Sequence, residues 1–102
     1  MKKKLGIFVS SNQHLPQLVS LCHAAKRKNI AVDIFFSHLG CSMMREEMFK
    51  ELADCTNRMG LCLVCYNEHK GEFPIPGIDE SGQATQERHC EIIDECDQYV
   101  NF

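Results

Sequence analysis

The sequence predicts an α/β protein: a single three-layer α/β/α domain, Rossmann- or flavodoxin-like, with a mainly parallel sheet of four to five strands. Two observations carry this. The stretch Ile30 to Cys41, IAVDIFFSHLGC, opens with a continuous apolar, β-branched and aromatic run. Such a run fits a strand buried on both faces, as strands in parallel sheets are. Strand-like and helix-like patterns also alternate along the chain, which argues for crossovers and a parallel sheet.

The elements follow in order. Lys4 to Ser10 reads as the first strand, with Ile7, Phe8 and Val9 at its centre. Ser11 or Asn12 could cap the helix after it, and Pro16 suits that helix's first turn, where a missing N–H costs nothing. Leu15, Leu18, Val19, Cys22 and Ala25 recur at spacings of three and four, one apolar helical face. Lys26, Arg27 and Lys28 suit its last turn and Asn29 its C-terminal cap.

The second strand is the Ile30 run, broken at Gly40, and residues 43 to 53 read as the next helix, with Met43, Met44, Met48, Leu52 and Cys55 as its apolar stripe. Met59 to Tyr66 reads as a third strand. A loop with Gly71, Pro74, Pro76 and Gly77 follows, anchored by Ile75 and Ile78. Gln83 to Asp94 reads as a polar helix with Ala84, Ile92 and Ile93 facing in, and Gln98 to Phe102 as a closing strand.

Composition bounds the function. The 102 residues make one domain, 44% hydrophobic and 25% charged, with a net charge of -3 that gives no reason to expect nucleic acid. Lys2, Lys3, Lys4, Lys26, Arg27 and Lys28 make the first third basic. Asp79, Glu80, Glu87, Glu91, Asp94, Glu95 and Asp97 make the last third acidic. That split is read as two solvated surfaces, the sharper alternative being an interface between subunits. The apolar run after the N-terminal lysines is about five residues, short of the ~7–15 of a signal peptide. With no transmembrane run either, a cytoplasmic protein that does not engage membranes is expected. Of the seven cysteines, Cys22, Cys55 and Cys62 read as small buried hydrophobes, reduced by default in the cytoplasm.

Chemistry is expected at the carboxyl ends of the strands, where ligands of open α/β sheets bind. Cys41 follows Gly40 directly before a predicted helix, and Cys65 closes the predicted third strand. A thiol at a helix N-terminus is shifted toward the thiolate, the nucleophilic form. One cavity lined by His38, Cys41 and Cys65, with His69 and the Ser10–His14 loop (Asn12 and His14 included), is the expected site. Cys62 and Cys65 form a CxxC pair, but within a strand residues three apart point to opposite faces, which argues against a redox or zinc role. The loop SSNQHLP lacks the glycine a phosphate or flavin site needs, no acidic pair ends the first strand, and no Ser-His-Asp arrangement is suggested. No metal and no cofactor are expected.

With these residues in place, the chain resembles the DsrE/DsrF/TusD-like (DsrEFH-like) sulfur-relay family. The resemblance lies in KLGIFVSS leading to AAKRKNIAV, in FFSHLGC, in MGLCLVC and in the closing CDQYVNF. Its anchors are Phe35, Phe36, Gly40, Gly60, Cys65, Asp97 and Phe102, spread over the full length. It implies that Cys65 accepts sulfane sulfur as a persulfide and passes it on. In a carrier of that kind Cys41 is read as a second thiol candidate or part of the wall, and His38 or His69 as support for the thiolate. It also implies sulfur donor and acceptor proteins as partners, and a homo-oligomer, trimer or hexamer. The alternatives are a non-catalytic member of the family that binds a ligand or partner in the same cleft, and a metal-binding or redox-sensing protein.

Overall fold

A computed structural model of the chain describes residues 3–75, 77–78, 82–84 and 86–102. Lys2, Pro76, Asp79 and Glu80, counted above among the loop and charged residues, lie outside these. The order is β1 (Lys4–Val9), α1 (Leu15–Arg27), β2 (Ala31–Phe36), two 3-10 segments (His38–Arg45 and Glu47–Glu51), α2 (Leu52–Cys55), β3 (Arg58–Cys62), α3 (Leu63–Glu68), β4 (Gln83–Ala84), α4 (Gln86–Glu95) and β5 (Gln98–Asn101). The five strands form one all-parallel sheet in the order β4-β3-β2-β1-β5. The predicted α/β class is the observed one.

β2 occupies the middle of the sheet and is buried along its whole length, as its apolar run requires. Its side chains alternate between two layers. On one face Phe35 and its neighbour Phe8 lie beneath His89 of α4, with ring centroids 5.7 and 4.1 Å away. On the other, Phe36 meets Phe49 of the second 3-10 segment edge to face. Asp33, on the α4 side, is almost fully buried, and its carboxylate is held by Arg58 at 3.3 Å and the Asn57 amide at 2.9 Å. That pairing is structural, since a buried carboxylate needs its partners.

Several elements differ from the sequence reading. α1 has the predicted bounds and Pro16 in its first turn, but His14 is the capping residue and neither Ser11 nor Asn12 caps it. Asn29 does take the positive φ (59°) that suits the end of a helix. The predicted helix over 43–53 is instead two 3-10 segments separated by the extended Glu46, followed by one α turn. Phe49 is buried in the second 3-10 segment and Leu52 and Cys55 in the α turn after it, whereas Met48 points to solvent.

β3 is four residues shorter at its C-terminal end than predicted: the chain leaves the sheet at Cys62 and turns directly into α3. Gln83 and Ala84 form a short strand rather than the start of α4. Ile92 is buried in α4 while Ile93 is 42% exposed. Ile75 and Ile78 are buried anchors, as expected. The basic and acidic thirds meet within the chain, through Lys4 and Glu95 at 3.9 Å and the Lys4 backbone N–H donating to Asp97 at 2.8 Å.

Candidate functional site

The register of β1, β2 and β3 sets the site. Val9 pairs with Phe36 and Phe36 with Leu61, so Ser37 and Cys62 leave the sheet side by side. Ser37 stays tied to the sheet, its N–H donating to the Val9 carbonyl at 2.9 Å. The next residue, His38, adopts φ 51°, a left-handed conformation uncommon outside glycine and often found at functional sites. Gly40 follows, its N–H donating to the Ser37 carbonyl. A Cβ at Gly40 would stand 2.3 Å from the Val9 carbonyl oxygen, so only glycine lets this turn fold down onto the end of β1.

Cys65 sits in the first turn of α3, above this turn, with 9% of its surface exposed. Burial pushes its thiol upward, but the His38 backbone N–H, the Ser37 hydroxyl and the Cys62 thiol all donate to its sulfur and hold it below the ordinary thiol value of 9.0. Ser37 Oγ and Cys65 Sγ are 3.6 Å apart. Gln86, from the start of α4, donates its side-chain N–H to Ser37 Oγ at 2.9 Å. When Cys65 is ionised its sulfur can only accept, and the Ser37 hydroxyl is then the donor of that contact. The result is a donor chain, Gln86 to Ser37 to Cys65, drawn from α4, β2 and α3.

Cys41 is placed close by but in the opposite state. It lies inside the first 3-10 segment rather than at an α-helix N-terminus, which corrects the sequence expectation. It is 1% exposed and its thiol donates to the Cys62 carbonyl at 3.8 Å. Burial, reinforced by Cys65 and Cys62, pushes it up to about 12. Cys41 is therefore a neutral thiol in the wall. It also lines a separate cleft of about 280 Å³ with Tyr66, Arg45 and Lys50.

The remaining predicted residues divide. His38 contributes through its backbone N–H, while the residue as a whole is exposed. His69 closes α3, its N–H donating to the Cys65 carbonyl at 3.1 Å and its own carbonyl accepting from Arg45. Asn12 reaches Ser42 at 3.0 Å and so joins the β1–α1 loop to the rim. His14 is exposed at the start of α1.

The CxxC pair needs the largest correction. Cys62 stands at the N-cap position of α3 (φ -78°, ψ 110°) and Cys65 is the third residue of that helix, so the two do not point to opposite faces of a strand, and Cys62 is one of the groups that lower the Cys65 thiol. Sequence reasoning missed Ser37, Cys62 and Gln86. The first two had a signal, since both follow an apolar strand in a register the pattern fixes. Gln86 had none, being 49 residues away from Ser37.

Among the described residues no cluster of three or more His, Cys, Asp or Glu is arranged to hold a metal ion. No helix among them is long and apolar enough to cross a membrane. No protein-family model matches the chain, and no curated protein matches it.

Proposed function

We propose that the protein is a sulfur carrier that holds sulfane sulfur as a persulfide on Cys65. The observation supporting this most directly is the donor set on Cys65: three donors meet its sulfur at the carboxyl end of the sheet and favour the thiolate despite burial. In this reading the Cys65 thiolate attacks the terminal sulfur of a sulfane-sulfur donor. A Cys65 Sγ–S bond forms, the donor's S–S bond breaks, and the donor leaves as its thiolate. Transfer to an acceptor thiol reverses these roles. His38 N–H and Ser37 Oγ–H stabilise the thiolate before attack and again when Cys65 leaves. Sulfur donor and acceptor proteins are the partners of such a carrier, and the family resemblance adds a homo-oligomer.

Mass spectrometry after incubation with a sulfane-sulfur donor tests the proposal. The wild type and Cys41→Ser are expected to bind sulfur at Cys65, a gain of about 32 Da where the persulfide is retained. Cys65→Ser is expected to gain nothing. Folded wild-type protein that neither gains sulfur nor releases it as sulfide would sink the reading and favour a ligand- or partner-binding module.

A further inference from the structure

We propose that Cys62 is a resolving thiol for the Cys65 persulfide, so that the protein can discharge bound sulfane sulfur as hydrosulfide and close a Cys62–Cys65 disulfide. This rests on the carrier reading and adds a fate for the sulfur.

Cys62 is both the last residue of the strand and the residue capping α3, which places it across the first helical turn from Cys65. In a capping box the side chains at the capping position and three residues on each reach back to the other residue's backbone, so the two lie on one side of the first turn. Here the pair is two thiols, and Cys62 is among the groups that lower the Cys65 thiol. Residues three apart on a helical turn have Cβ atoms about 5–6 Å apart, and a disulfide needs about 3.5–4.5 Å, so closing the bond asks for a small adjustment at one turn. Cys41 is the competing neighbour, but its hydrogen is engaged by the Cys62 carbonyl and burial keeps it protonated. Both thiols of the pair are free in this structure, the reduced state from which sulfur uptake begins.

The step balances. The Cys62 thiolate attacks Cys65 Sγ, forming the Cys62–Cys65 bond and breaking the bond from Cys65 Sγ to the outer sulfur. The outer sulfur leaves as hydrosulfide, carrying the electron pair of the broken bond together with a proton. Sulfane sulfur is reduced to sulfide and the two cysteines are oxidised to a disulfide. A low-molecular-weight thiol then restores the dithiol by two exchange steps, itself becoming a disulfide. The competition between this discharge and transfer to an acceptor sets how long the cargo survives.

The test compares reduced wild type, Cys62→Ser, Cys62→Ala and Cys41→Ser after one equivalent of a small-molecule persulfide. Intact mass is read without reductant, and sulfide is measured in the same samples. In the wild type and Cys41→Ser, the expected end state is a loss of about 2 Da, the two thiol hydrogens, with one equivalent of sulfide released. In both Cys62 variants the expected state is a persistent gain of about 32 Da and at least ten-fold slower sulfide release. Serine is a favourable capping residue and alanine a small apolar one, so one variant guards against misfolding of the other. Sulfur retained on wild-type Cys65 with no disulfide, or unchanged sulfide release from folded Cys62 variants, would overturn this inference and leave the carrier reading intact. No sulfur on Cys65 in any variant, without sulfide release, would overturn both.

Discussion

Two groups of buried cysteines lie in this fold, and only one of them contains a lowered thiol. Cys22 and Cys55 face each other between α1 and α2, while Cys41, Cys62 and Cys65 gather where β2 and β3 end. Exposure does not separate them, since Cys55 is 5% and Cys65 9% exposed. The number of donors reaching the sulfur does. Cys55 gives its hydrogen to the Glu51 and Leu52 carbonyls at 3.4 and 3.7 Å, and its thiol is raised, by burial first. Burial, followed by the neighbouring Cys55, pushes Cys22 up to about 12. Three donors converge on Cys65, and its thiol is lowered. A buried thiol is lowered here only where backbone and side-chain donors converge on its sulfur.

The largest expected effect comes from breaking the turn that supplies those donors. Gly40→Ala forces a Cβ against the Val9 carbonyl. It should cost about 1–3 kcal/mol of stability, as overpacking does, and slow Cys65 alkylation as well. Denaturant unfolding and iodoacetamide kinetics on one preparation would show whether the two losses occur together.

The inert pair makes an alkaline prediction. A thiol whose folded pKa is raised stays protonated in the native state, while the unfolded thiol ionises above 9.0. Its contribution to stability is therefore lost as pH rises from about 9 toward 12, by roughly 1.4 kcal/mol per pH unit for each such group. Replacing Cys22 by Ala removes that group. The stability gap between wild type and Cys22→Ala should narrow as pH rises from 8 to 10, and a constant gap would count against the assignment.

Ser37→Ala comes next. It removes one hydrogen bond to a charged acceptor, a contact of about 1.5–3 kcal/mol, so Cys65 alkylation at neutral pH should slow about ten-fold or more. Gln86→Ala leaves the Ser37 hydroxyl in place without its Gln86 donor, and a slowing of about three-fold is expected, within the range of a neutral hydrogen bond. Equal rates for Ser37→Ala and wild type would remove the donor chain from the account.

The sequence made the sheet legible because its signal is local: an uninterrupted apolar run such as AVDIFF has few alternatives to a buried central strand. Cys65 and the carboxyl edge of the sheet were legible for the same reason. What surrounds Cys65 was not. His38 donates through a backbone conformation its side chain does not announce, and Gln86 arrives from another element. The Cys62–Cys65 geometry depended on a strand ending four residues early. The run MGLCLVCY suits a strand throughout, yet its last residues form α3, which is held to the following loop by Tyr66 donating to the Glu72 carbonyl and packing over Gly71. Tertiary contacts of that kind override local propensity.

The most direct test of the central claim is a pH profile of alkylation on the native protein, resolved cysteine by cysteine by mass spectrometry. The account predicts a Cys65 midpoint below the ordinary thiol value of 9.0, with Cys22 and Cys41 unmodified across the same range until the protein is unfolded. A Cys65 midpoint at or above 9.0, or modification of Cys41 alongside it, would contradict the claim that convergent donors single out this thiol.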